Sequence, residues 1–256
     1  MGRIVLYYPT IVIRNRNWIN QTILYWDGIG SIVPRDLTSR IEASDEMQEL
    51  QDNGLLHYFR PEYHVQLNQD LNEEFIEIIV NPPPSWRVNL QNRSEKFLVY
   101  FEKMDRELER FLIASGKAER REDGWVSMDR ADALAYMSLL AKYMADHLSD
   151  QDNDITPGTD FRLYRDLILK KRENSQELPA LSCILHNLLP MPRPDVSLRK
   201  IIKFKRQREV ELLEFRRIIL RFQDDIKAVR DEADLREHSQ RFSEELRLGV
   251  RNLDRL

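Results

Sequence analysis

Four short apolar runs along the chain each stop at a proline: VLYYP at Val5–Pro9, GSIVP at Gly30–Pro34, LHYFRP at Leu56–Pro61 and LHNLLP at Leu185–Pro190. Proline cannot donate a ladder hydrogen bond, so it ends a strand and turns the chain into a loop. Between these runs the apolar period changes. Ile4 to Tyr8 reads as a strand of β-favouring residues, whereas Trp18, Ile19, Ile23, Leu24 and Trp26 recur at three to five residues and predict a short helix with Asn15 or Asn17 as its cap. Ile29 to Val33 predicts a second strand. Leu37, Ile41, Met47 and Leu50 predict one polar amphipathic helix, ended by Gly54 in the left-handed conformation. Leu55 to Phe59 is the third predicted strand, and Leu67, Leu71, Phe75 and Ile78 mark the next helix. Phe97 to Phe101 reads as a fourth strand, and Met104, Leu108, Phe111 and Leu112 as one helical face ending at Gly116. Ala180 to Leu185 is the last.

Alternating strands and helices favour an α/β fold with a mostly parallel sheet and crossover helices, either open or closed into a barrel. Strands of such a sheet finish at one edge, which would line the prolines up there. Two regions break the alternation. Residues 118–128 read as a small β-hairpin turning at Asp123-Gly124, followed by a helix capped by Asp129 and carrying Leu134, Met137, Ala141, Met144 and Leu148 at spacings of three and four. Residues 197–256 contain no proline and read as helical. There Leu212, Phe215, Ile219, Phe222, Ile226 and Val229 form a heptad seam, which divides the chain into a body, 1–196, and a helical segment, 197–256. The seam needs a cover, either the body itself, a second copy or a protein partner.

Charge sharpens this division. The formal net charge of −4 splits into 23 Lys+Arg against 31 Asp+Glu over residues 1–196, and 16 against 12 over residues 197–256. Six of those cations, Arg199, Lys200, Lys203, Lys205, Arg206 and Arg208, crowd the first turns of a helix capped by Ser197. Positive charge at a helix N-terminus opposes the macrodipole by about 0.3–1 kcal/mol per group. The acidic body, an anionic partner or nucleic acid would offset it.

Composition removes several function classes. At 42% hydrophobic and 32% charged, the 256 residues are globular in character. No apolar run is long enough for a membrane span, and the first residues lack the order of a signal peptide, so the expectation is a cytoplasmic protein without membrane contact. Cys183 is the only cysteine, so no intrachain disulfide and no multi-cysteine zinc site can form. His57, His64, His147, His186 and His238 show no metal-ligand spacing, so no metal is expected. No motif points to a cofactor. Gly28 and Gly30 of WDGIGS precede a strand, where a dinucleotide fingerprint must follow one, and Asp27 beside them reads as a turn former.

The candidate chemistry lies in the strand-end loops. Arg35-Asp36, Arg60 with Glu62, and Arg193 with Asp195 each bring one guanidinium and one carboxylate. Ligands of α/β sheets bind at the carboxyl ends of strands, so these arginines, with Tyr8, Arg14, Tyr63, His64 and His186, would line a pocket for a phosphate or carboxylate. Alternatively each arginine pairs with its neighbouring carboxylate and closes the sheet edge. The hairpin and following helix are similar in outline to the wing and recognition helix of a winged-helix domain. Arg120 and Arg121 would then be the phosphate contacts, against an acidic body that disfavours duplex binding.

The runs YYPTIVIRNRNW (Tyr7–Trp18), ILYWDGI (Ile23–Ile29), DGWV (Asp123–Val126) and YMSLLA (Tyr136–Ala141) resemble an uncharacterised bacterial family known only as a domain of unknown function, over most of residues 1–230. The resemblance implies a soluble bacterial protein, with TPGTD (Thr156–Asp160) as a loop, and carries no activity or catalytic residues. The sequence thus leaves three functions open. The first is an interaction or regulatory protein that binds a partner or itself through the seam. The second is an enzyme or sensor for an anionic small molecule at the strand-end loops, and the third is nucleic-acid binding through the hairpin and basic helix.

Overall fold

The computed structural model describes residues 2–40, 44–65, 69–81, 95–150, 152–160, 192–193, 195–228, 237–238, 240–245 and 248. The chain divides into two compact units, each assembled from separate stretches. Met1–Arg14 joins Trp26–Ile168 in the first, and Asn15–Tyr25 joins Leu169–Leu256 in the second. The second unit therefore takes a helix from within the first 196 residues, which the charge and proline distribution does not disclose.

The first unit contains a four-stranded parallel sheet, running from Leu56–Phe59 at one edge through Gly28–Ile32 and Gly2–Tyr7 to Asn153–Gly158 at the other. Its strands are β1 (Gly2–Tyr7), β2 (Gly28–Ile32), β3 (Leu56–Phe59) and β7 (Asn153–Gly158). Register runs from Ile4↔Gly28 to Tyr7↔Ser31 between β1 and β2, and from Gly2↔Asn153 to Tyr7↔Gly158 between β1 and β7. Every residue of β2 is buried, as expected for a central parallel strand covered on both faces. The sheet is open among the described residues. Pro9, Pro34 and Pro61 each follow the last residue of their strand by two, so three of the four proline-ended runs do lie along one sheet edge. The fourth, with its predicted strand Ala180 to Leu185, lies outside the described residues.

Two strand assignments change. Residues 153–158 form β7, which takes in the first three residues of the expected TPGTD loop, because an edge strand among those described tolerates Pro157 where a central one would not. The expected fourth strand forms as β4 (Lys96–Tyr100), but it leaves the parallel sheet. It pairs antiparallel with β6 (Trp125–Asp129), which in turn pairs with β5 (Ala118–Arg120) in the predicted hairpin. A strand's own pattern does not reveal its direction or its neighbour, and the hairpin edge captures β4.

The helices follow their periodicity with local corrections. The single helix expected over Leu37 to Leu50 is a 3-10 turn, Arg35–Arg40, followed by α2 (Asp45–Asp52). Ser44 caps α2 by accepting from the Met47 amide at 3.3 Å, and Gly54 takes φ 68° beyond its end. Next come α3 (Glu62–Val65), α4 (Gln69–Val80) and α5 (Arg106–Ala114), the last capped by Asp105, which accepts from the Glu107 and Leu108 amides at 2.8 and 3.2 Å. Phe111 leaves the predicted face and is 40% exposed. The helix α6 (Arg130–Leu148) is the centre of the unit and packs against β4, β6, β7 and α4. Its Tyr136 is fully buried and meets Phe75 edge-on at 5.1 Å. Asp129 stands at the cap position but makes no capping bond, because its carboxylate pairs instead with Lys96 Nζ at 2.8 Å.

The second unit packs α1 (Arg16–Tyr25), capped by Asn15, against α7 (Leu198–Gln207) and continues into α8 (Glu209–Ala228). Leu198, Ile201 and Ile202 of α7 and Ile19 and Ile23 of α1 are buried. Asn20 Nδ2 donates to Val196 O at 3.3 Å. Among the described residues no helix is long and apolar enough to cross a membrane.

Candidate functional site

At the carboxyl edge of the parallel sheet, within the first unit, lies a cleft of about 940 Å³. One wall comes from the segment after β1 (Pro9 to Val12 and Arg14) and from Asp160, two residues beyond β7. The other is β4 with Lys103 and Trp125. Parallel strands bring chain segments that are far apart in sequence to the same edge, and here that joins residues 153 positions apart. Tyr7 Oη donates to Asp160 Oδ1 at 2.9 Å, and Thr10 Oγ1 lies 3.3 Å from Tyr7 Oη while donating to Val12 O at 3.0 Å. Burial pushes the Tyr7 phenol well above its usual range, so it stays protonated and serves as a fixed donor.

Lys103 is the unusual group in this cleft. It ends the 3-10 turn Phe101–Lys103 that follows β4, and only 3% of it is exposed. The backbone there is held by Tyr136, whose hydroxyl donates to Lys103 O at 2.7 Å. No carboxylate among the described residues pairs with its amine, and burial alone lowers the pKa from 10.5 to about 7. Lys96 differs, being more than half exposed at its side chain and paired with Asp129. Arg14 is exposed on the cleft wall and makes no hydrogen bond or ion pair among the described residues. Trp125 meets Tyr100 edge-on at 5.1 Å and gives the wall an aromatic surface.

The predicted site residues fall in several places. Tyr8 is core, 1% exposed, and burial raises its phenol pKa against a softening hydrogen bond with Ser138. Arg60 turns inward, donating to the Thr38 hydroxyl and, at 3.5 Å, to Val33 O. Arg35 is exposed, and its backbone amide donates to Glu62 Oε1 at 3.1 Å. Asp36 N donates to Glu102 Oε2 at 3.4 Å, and burial raises the Glu102 pKa. These loops therefore interlock, although not through the arginine–carboxylate pairs expected within each loop. His64 packs edge-on against His147 with ring centroids 5.0 Å apart, and burial, then the His147 charge, lower its pKa. Arg193 is exposed and belongs to the second unit, and His186 lies outside the described residues. Among the described residues of the predicted set, Arg14 alone lines the cleft.

Lys103, Tyr7 and Asp160 were not legible as site residues. Lys103 sits in an ordinary FEKMD stretch, and its burial to 3% exposure appears only in the assembled unit. Asp160 closes the TPGTD run, whose turn residues mask its place at a strand end.

The other candidate surfaces are engaged only in part among the described residues. In the seam, Leu212 and Phe215 are 2% and 1% exposed, and Phe215 stacks on Tyr25 of α1 with ring centroids 5.6 Å apart. The side chains of Ile219, Phe222 and Ile226, and Val229 as a whole, lie outside the described residues. In the basic run, Lys205 Nζ donates to Ile23 O at 3.0 Å in the last turn of α1, where a cation suits the helix dipole. Arg208 pairs with Glu211 at 3.4 Å, while Arg199, Lys200, Lys203 and Arg206 are exposed. In the hairpin, Arg120 pairs with the buried Glu109 at 3.0 Å and covers the Phe101 ring at 5.5 Å, leaving Arg121 exposed. Asp27 accepts from the Arg3 amide at 2.9 Å and so joins the start of β2 to β1. Among the described residues no group of three or more His, Cys, Asp or Glu side chains is placed to hold a metal ion.

Compared with known protein families, with curated proteins and with solved structures, the chain matches none.

Proposed function

We propose that the protein binds a small molecule carrying a carboxylate or phosphate in the cleft at the carboxyl edge of the parallel sheet, as an enzyme or a sensor. The observation that carries this reading is a cleft of about 940 Å³ whose wall holds Arg14, without a described partner, and the buried Lys103. That volume suits a metabolite-sized ligand, and such sites pair apolar walls with a few placed polar groups. Arg14 supplies a planar guanidinium suited to an oxyanion, and Tyr7 with Asp160 supplies a fixed polar edge. Partner binding through the seam is the weaker reading, because Leu212 and Phe215 are already covered within the second unit. Nucleic-acid binding is weaker still, since Arg120 is engaged by Glu109 and Phe101.

Calorimetric titration with a panel of small carboxylates and phosphate esters tests the proposal. At least one member should bind, and Arg14→Ala should weaken it about tenfold or more, the loss expected for one charged hydrogen bond of about 1.5–3 kcal/mol. Because Arg14 is exposed, the melting temperature of the variant should stay within a degree or two. Absence of binding across the panel, or binding indifferent to Arg14→Ala, would sink the reading.

A further inference from the structure

We propose that Lys103 is a carbonyl-reactive amine, and that the ligand class of the cleft is an aldehyde or ketone carrying an anionic group. The inference rests on the anion-binding reading above and names the chemistry of that same site. Three observations on the fold lead to it. Lys103 lines the cleft, it is 3% exposed, and no carboxylate among the described residues neutralises an ammonium there. A buried charge without a counterion is unfavourable, so the amine sheds its proton instead. Lys96, which also lines the cleft, is by contrast more than half exposed at its side chain and paired with Asp129.

A neutral amine has a lone pair, and desolvation in an apolar pocket is one of the ways a lysine becomes a nucleophile. With its pKa near 7, about half of Lys103 is free amine at neutral pH. An ordinary lysine at about 10.4 offers roughly one molecule in 2,500 in that form. Arg14, which also lines the cleft, would hold the carboxylate or phosphate, leaving the carbonyl for Lys103. The step balances without an outside oxidant or reductant. Lys103 Nζ adds to the carbonyl carbon, the C=O π pair moves to oxygen, and one amine proton follows it, giving a carbinolamine. The C–O bond then breaks as the second amine proton leaves with the hydroxyl as water, and the nitrogen lone pair closes the C=N bond of the imine.

Glyoxylate, an aldehyde bearing one carboxylate and small enough for a cleft of this size, is the probe, with acetaldehyde as its uncharged counterpart. Full-length protein is incubated with each in the presence of sodium cyanoborohydride between pH 6 and 9, and the reduced adduct is located by peptide mass mapping. The expected result is one predominant adduct, on Lys103, half-maximal near pH 7, formed faster with glyoxylate than with acetaldehyde and slowed about tenfold by Arg14→Ala. Mapping is done on the unaltered protein, so the result does not depend on whether Lys103→Met folds. If glyoxylate or another carboxylate binds in calorimetry while adducts are scattered over exposed lysines and Lys103 stays unmodified, the amine chemistry is refuted and the anion site stands. If nothing on the panel binds and Lys103 stays unmodified, both fall.

Discussion

Replacing Lys103 with methionine should make the protein more stable at neutral pH, and the size of the gain should depend on pH in one direction. Methionine keeps the length and apolar stem of the side chain and removes its titrating end. In the unfolded chain the amine titrates at its ordinary 10.5, whereas in the native protein burial lowers this to about 7. Between these values the unfolded state holds a proton that the native state lacks, so native stability rises with pH, by about 1.4 kcal/mol per pH unit. Above 10.5 neither state is protonated and the penalty is gone; below about 7 both are, and the native protein carries it in full. At pH 7 the penalty is about 4 kcal/mol, a large share of the roughly 5–15 kcal/mol that stabilises a typical domain. Lys103→Met has no such term. Its advantage over the parent should be greatest at and below pH 7 and should shrink by about 2 kcal/mol between pH 7 and pH 9. Urea unfolding followed by circular dichroism at half-unit pH intervals measures both curves. Parallel curves would refute the reasoning, because they would mean that Lys103 keeps an ordinary pKa in the native protein.

Two further predictions concern packing. A methyl group added at Gly30 would lie 2.6 Å from Phe59 Cε2 and 3.1 Å from Leu6 Cδ1, so Gly30→Ala should lose about 1–3 kcal/mol through overpacking, and Phe59→Leu in the same chain should restore part of it; an unchanged urea midpoint for Gly30→Ala would contradict the β2–β3 packing. Phe215→Ala should destabilise by about 3–5 kcal/mol, since the ring is 1% exposed and stacks on Tyr25, without forming or dissolving an oligomer; a change in mass by light scattering with little change in stability would instead show that the seam is covered by another chain.

The sequence by itself determined the local elements and the sheet's edge. Periodicity placed β1, β2 and β3 within a residue or two, because alternation and helical spacing are properties of short windows, and proline after each of the three strands marked where the ladder had to stop. Gly54 and the cap position of Ser197 are local in the same sense. Long-range choices were not available to such windows. Whether the strand at Lys96–Tyr100 joined the parallel sheet or the hairpin was such a choice; it lies against β6, and Lys103, three residues beyond it, is buried. Thr156 to Gly158 read as turn because proline and glycine dominate a local reading, yet pairing with β1 along its whole length holds them as a strand. The arginines at the strand ends looked equivalent in sequence. Tertiary contacts then separated them, turning Arg60 inward to Thr38, leaving Arg35 exposed and assigning Arg193 to the other unit. The same holds for the C-terminal seam, whose spacing is written in the chain while its cover, Tyr25 on a helix 190 positions earlier, is decided only by packing. Burial, and with it the chemistry of a lysine, belongs to the assembled fold and not to any segment of it.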